Sequence, residues 1–226
     1  MTDHRPPPLS LLLREAGSLA RLYRQNWRTP EPRAKGGSHP VLVLPGFLAD
    51  DFTTRLLRHR LIEAGFRTFG WRLGRNLGAR PDTLDRLEKR LEQVAGSDRV
   101  SLIGWSLGGV FARELAKRRP ELTARVLTLG TPFSGDMRAN NAWRLYERVA
   151  GHKVDAPPLD VRVHEKPPVP TIALWSRRDG IVAAASARGQ PGQVDRAVEV
   201  ACTHMGFMTD ASVAELVQGL LKDRDT

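Results

Sequence analysis

The sequence predicts an α/β fold: a mostly parallel sheet of about six strands with helices on both faces, preceded by an N-terminal helical extension. Three observations predict it. Six short apolar runs recur from Val41 onward. Helical patterns separate them, so each strand returns by a crossover and pairs in parallel with another. One crossover opens on a glycine-rich turn, Gly104-Trp105-Ser106-Leu107-Gly108, set between a strand and a helix.

Residues 1–38 form the extension, with a Pro-rich start (Pro6, Pro7, Pro8), a helix from about Leu9 to Trp27, and a linker containing Pro30, Pro32, Gly36 and Gly37. In the helix Leu12, Ala16, Leu19, Leu22 and Tyr23 recur at three- and four-residue intervals, while Arg14, Arg21 and Arg24 lie elsewhere on the wheel. The stripe is expected to pack on the body of the domain, with contact to lipid or a partner as the alternative. Residues 39–226 then read as one α/β domain. Strands are expected at Val41 to Leu44, Arg67 to Trp71, Val100 to Ile103, Arg125 to Leu129, Thr171 to Trp175 and Ala197 to Ala201. Helices are expected near Asp51 to Ala64, Pro81 to Val94, Leu107 to Arg119, Asn140 to Ala150 and Asp210 to Leu221. Gly151 to Pro170, with Pro157, Pro158, Pro167, Pro168 and Pro170, reads as a long surface loop beside the site edge.

Composition narrows the partners. With 226 residues and 41% hydrophobic content the chain can bury a core without metals or cross-links. Its single cysteine, Cys202, excludes an intramolecular disulfide and a Cys-cluster metal site. The net charge of +10 would suit a polyanion, yet the basic residues are scattered, and 29 of the 35 are arginine. That spread argues against a nucleic-acid partner and leaves an anionic membrane surface or an acidic carrier protein open. The apolar stretch Leu9 to Leu13 is too short for a secretory signal, and no transmembrane run follows, so a cytoplasmic location is expected.

In an open parallel sheet, ligands gather beyond the carboxyl ends of the strands. Residues just after a strand are therefore the site candidates. Gly104-Trp105-Ser106-Leu107-Gly108 is G-x-S-x-G with a strand before it and a helix after it, which makes Ser106 the candidate nucleophile. The helix N-terminus beneath the hydroxyl favours developing negative charge. Leu107 offers one backbone N–H to an oxyanion, and Phe47, in the Pro45-Gly46-Phe47-Leu48 turn after the first strand, offers the second.

A serine hydroxyl needs an imidazole to take its proton, and the imidazole needs a carboxylate. Acid and histidine follow this kind of turn along the chain, which leaves His152, His164 and His204 in play. His204 follows the last strand. His39 precedes its strand and belongs at the opposite edge, and His4 and His59 read as surface residues. Asp179, shortly after the strand Thr171 to Trp175, is placed to reach His204; Asp155, Asp160 and Asp195 do not follow a strand on the correct edge.

Together with Leu129-Gly130-Thr131-Pro132-Phe133, Arg178-Asp179-Gly180-Ile181-Val182 and Thr203-His204-Met205-Gly206-Phe207, these blocks resemble the α/β-hydrolase superfamily, and within it the compact lipase and carboxylesterase branch. The resemblance covers roughly Pro40 to Leu221. It implies a catalytic domain over residues 39–226, a triad of Ser106, Asp179 and His204, backbone donors at Phe47 and Leu107, and no cofactor or metal. It further implies an ester or lipid-like small-molecule substrate and a short lid-like segment at about 134–170. Hydrolysis of a carboxylic ester through an acyl-serine intermediate is the leading expectation. A thioesterase or acyltransferase acting on a carrier-bound acyl group is the alternative, followed by a non-catalytic binding module. The oligomeric state is left open by the sequence.

Overall fold

The computed structural model describes residues 5–32 and 39–223. His4, Gly36 and Gly37 lie outside them. The described chain runs α1 (Leu9–Arg28), β1 (Pro40–Leu44), α2 (Arg55–Glu63), β2 (Arg67–Gly70), α3 (Thr83–Ala95), β3 (Val100–Trp105), α4 (Leu107–Arg118), β4 (Thr123–Leu129), α5 (Trp143–Ala150), β5 (Thr171–Trp175), α6 (Ala184–Arg188), β6 (Arg196–Glu199), α7 (Gly206–Thr209) and α8 (Ala211–Lys222).

All strand pairs are parallel, in the order β2-β1-β3-β4-β5-β6. The period of two along each strand sorts the core into two layers. Val43, Ile103, Leu127 and Ile172 stand in register across four strands on one face. There they meet Leu22 of α1, Leu57 and Leu61 of α2, and Val213, Val217 and Leu220 of α8. On the other face Leu42, Leu102 and Val126 pack on Leu84, Leu87 and Leu91 of α3 and on Phe111 and Leu115 of α4. Burying one such leucine contributes about 2 kcal/mol.

Besides the one-turn α7, where no helix is expected, and shifts of one to four residues at element ends, the structure departs from sequence expectation in three places. The helix expected from Asn140 begins at Trp143, because the Asn140 side chain accepts the Ala142 N–H at 2.9 Å and its backbone bridges to Val182. The short α6, between β5 and β6, has too few residues to show a period. The third concerns α1. Of its expected packing stripe only Leu22 is buried, and Glu15 and Asn26 go inward with it. Apart from Leu22, which joins the core layer, this helix covers loop backbone whose N–H groups need partners. Asn26 takes the Leu56 N–H at 2.7 Å and donates to the Thr53 carbonyl at 3.1 Å.

Candidate active site

Ser106 occupies the turn between β3 and α4 at φ 53° and ψ −124°, a backbone conformation that L-residues rarely adopt. The strain is held from both sides. The Ser106 N–H donates to the Leu129 carbonyl at 2.9 Å, and its carbonyl accepts the Gly109 N–H at 2.9 Å. Two glycines let the turn close: a Cβ on Gly104 would run into the backbone of Gly109, and one on Gly108 into the Leu44 carbonyl. The Pro45-Gly46-Phe47 turn therefore lies directly against the serine, and Phe47, Ser106 and Leu107 line one pocket. Among the described residues no acceptor takes the Phe47 or Leu107 N–H.

Asp179 and His204, 25 residues apart in sequence, meet in the interior. His204 Nδ1 and Asp179 Oδ2 are 2.7 Å apart, and both side chains are almost fully buried. The other carboxylate oxygen accepts the N–H groups of Ile181 and Val182, each at 2.8 Å, which fixes its orientation. Burial disfavours the imidazolium of His204, but the charge and hydrogen bond of Asp179 and the charge of Glu15 outweigh it and hold the pKa above 6.5. Trp105, next to the serine, donates its indole N–H to the His204 carbonyl at 3.1 Å, and the two rings stand 5.5 Å apart. Among the described residues no hydrogen bond joins the Ser106 hydroxyl to the imidazole; such contacts commonly tighten only when substrate binds.

The other histidines have different partners. His152 contacts the Ala79 carbonyl and the Tyr146 hydroxyl, His164 the Phe133 carbonyl, and His59 the Glu63 carboxylate. His39 meets Ser101 at 2.7 Å, at the amino edge of the sheet. Asp155 pairs with Arg138 and Asp195 with Lys166, away from His204. Among the described residues no group of three His, Cys, Asp or Glu side chains is placed to hold a metal ion.

Two residues at this edge escaped the sequence reading. Glu15 of α1, 4% exposed, accepts the N–H of Gly180 at 2.9 Å and that of His204 at 2.7 Å on one oxygen, and that of Met205 at 3.2 Å on the other. One carboxylate thus ties the acid loop to the histidine loop. Its signal was the spacing of Glu15, Leu22 and Asn26, one helical face, which an apolar-periodicity reading ignores. Asn76 braces the Phe47 turn. Its amide donates to the Pro45 carbonyl at 2.9 Å, its backbone carbonyl accepts the Leu48 N–H at 2.7 Å, and its own N–H donates to Ala49 at 2.8 Å. Nothing local in the sequence marks it.

The pocket over Ser106 is lined almost wholly by apolar side chains. Val110 and Phe111 of α4 form one wall, while the segment 134–170 supplies Met137, Trp143, Tyr146 and Leu159. Phe47 and Tyr146 meet edge to face at 5.3 Å, joining the serine-side turn to that segment.

No protein-family model matches the chain. Over 58 residues, 26% of the chain, it is 41% identical to the Biotin biosynthesis bifunctional protein BioHC of Teredinibacter turnerae, and the match spans 10% of that protein's length. Solved structures are similar over nearly the whole chain. A membrane phospholipase A described as a bacterial virulence factor superposes with a TM-score of 0.60 at 18% identity, covering 94% of this chain and 96% of that one. MGS-MChE2, an α/β hydrolase from a sediment metagenome of the Mar Chica lagoon in Morocco, gives 0.59 at 18% identity, with 85% and 94% covered. The thioesterase domain SrfTE, which cyclises the lipopeptide surfactin, gives 0.59 at 14% identity, with 83% and 93% covered.

Proposed function

The chain has the α/β-hydrolase fold, and on that scaffold we propose that it is a serine hydrolase cleaving a carboxylic ester with an apolar acyl group. The observation that carries the reading is a strained serine at the end of an apolar pocket, on the same sheet edge as a buried histidine–carboxylate pair. Asp179 holds the His204 Nδ1–H, leaving Nε2 as the basic nitrogen. Nε2 takes the Ser106 hydroxyl proton as the oxygen attacks the ester carbonyl. The N–H groups of Phe47 and Leu107 receive the negative oxygen. Collapse of that intermediate expels the alcohol, which takes the proton from His204 and leaves an acyl-Ser106 ester. Water repeats the sequence and releases the acid. Glu15 serves as a positioning residue, holding the backbone of the loops that carry the acid and the base. The segment 134–170 roofs the acyl chain.

Thioester cleavage or acyl transfer on a carrier is the second reading. It is favoured by the net charge of +10, which would draw an acidic carrier protein, and by the fold likeness to a thioesterase domain. Hydrolysis of p-nitrophenyl esters from acetate to palmitate, by wild type and Ser106→Ala, tests the main reading. Turnover that disappears in the variant, with fluorophosphonate labelling of Ser106 in the wild type, supports it. Full activity in Ser106→Ala would sink the assignment, and labelling without hydrolysis of any free ester moves the weight to a carrier-bound substrate.

A further inference from the structure

α1 is amphipathic the wrong way round for a helix that merely packs on a core. Its inner face carries Glu15, Leu22 and Asn26. Its outer face presents Leu9, Leu13 and Trp27, exposed at 72%, 76% and 81%. At 100° per residue, Leu9, Leu13, Ala20 and Trp27 fall within about 40° of one another, with Tyr23 beside them. Arg14, Arg21, Arg24 and Arg28 form a neighbouring row on the next quarter of the wheel. The helix has one acid, Glu15, and it faces inward. Every charge α1 shows to solvent is therefore positive. Arg21 stands 4.0 Å from Asp210, and among the described residues Arg14, Arg24 and Arg28 make no ion pair.

We propose that this face of α1 docks the protein on an anionic lipid surface, with Leu9, Leu13 and Trp27 entering the interface and the arginine row meeting lipid phosphates. An aromatic and leucine stripe flanked by cations is the chemistry that partitions in the headgroup region while lying flat. Charge selects this occupant over a second copy of the chain, since two such faces pressed together would bring arginine rows into contact with no outward acid on either helix to answer them beyond the Asp210 already beside Arg21. Among the described residues no helix is long and apolar enough to cross a membrane, and the attachment proposed for α1 is a peripheral one. The placement matters for access. Glu15, on the inner side of the same helix, touches the His204 N–H. Docking by the outer side brings the histidine to within about one helix diameter, ~10 Å, of the headgroups.

The test is sedimentation of the full chain with vesicles of phosphatidylglycerol and phosphatidylcholine, against phosphatidylcholine alone. It reads binding and not turnover, so its outcome is independent of the assigned reaction. Wild type is expected to sediment with the anionic vesicles and to be released by salt. Leu13→Glu/Trp27→Glu should lose at least about tenfold in partitioning. Arg14→Gln/Arg24→Gln/Arg28→Gln should lose on the order of a hundredfold on anionic vesicles, since each cation near the surface adds roughly fivefold. Both variants alter only solvent-facing side chains, and unchanged turnover of a short soluble ester, or an unchanged melting curve, shows that they fold. Wild type that stays in the supernatant, or variants that bind as tightly as wild type, would overturn the proposal. So would a lipid-free dimer that Leu13→Glu/Trp27→Glu converts to monomer, which would assign the face to a second copy.

Discussion

Glu15→Ala is the perturbation whose consequences follow most directly from the structure. The substitution removes the acceptor of three backbone N–H groups, those of Gly180, His204 and Met205. A hydrogen bond to a charged acceptor contributes about 1.5–3 kcal/mol, and each buried N–H left unpaired costs roughly 1–3 kcal/mol. The Gly180 and His204 bonds, at 2.9 and 2.7 Å, are the strong ones; the Met205 bond, at 3.2 Å, is weaker. With water entering part of the gap, the expected loss of stability is about 3–5 kcal/mol, a large share of the ~5–15 kcal/mol that holds a domain of this kind. Glu15→Gln keeps one carbonyl oxygen for the two strong bonds and should lose only about 1–2 kcal/mol. Urea unfolding followed by tryptophan fluorescence measures the series, expected in the order wild type, Gln, Ala. The Glu15 charge also raises the His204 pKa, so Glu15→Gln should move the acid limb of kcat/KM to lower pH, an effect that a purely structural carboxylate would not produce. Glu15→Ala within about 1 kcal/mol of wild type, with an unmoved pH profile, would refute the reasoning.

Three further predictions follow from the same edge of the sheet. To act as the proposed base His204 must be neutral, and its pKa is raised by Asp179, so kcat/KM should rise with pH through a limb lying above 6.5. Asp179→Asn should lower that limb and reduce kcat on the order of ten-thousandfold, whereas a limb at the ordinary histidine value in wild type would count against the pair. The sign for stability is opposite. A raised folded-state pKa gives a contribution that is full below 6.5 and is lost as pH rises through the folded value, which denaturant midpoints across pH measure in wild type against Asp179→Asn. Burial first, and then the carboxylates of Asp210, Asp179 and Glu15, push the Cys202 thiol up, so native protein should resist iodoacetamide and react only on unfolding. Rapid stoichiometric labelling of the folded chain would contradict that. Asn76→Ala frees the turn that carries the Phe47 N–H; kcat should fall roughly tenfold to a hundredfold with a stability loss of about 1–3 kcal/mol, and unchanged kcat would count against the oxyanion role proposed for Phe47.

Much of this was legible in the chain itself. The unbroken apolar runs at Leu42, Val43 and Leu44 and at Leu102 and Ile103 predict strands covered on both faces, because successive side chains point to opposite sides and each must find apolar cover. Gly104, Ser106 and Gly108 are local too: a strained serine between two glycines is a statement about φ, ψ and close approach over five residues. The candidate acid and base were also in reach, since Asp179 and His204 follow successive strands and so share one edge of the sheet. Which way α1 faces was not legible. Its apolar stripe promised burial, but the edge it covers presents backbone N–H groups, and a carboxylate satisfies those where leucine cannot. Asn76 likewise has no sequence period behind it, because its partners at Pro45, Leu48 and Ala49 come from another loop. The sequence determined the elements, their order and the local strain at Ser106, all of which depend on neighbours along the chain. Only the tertiary structure decided the partners of Glu15 and Asn76, because an unpaired buried backbone group exists only once distant loops have come together.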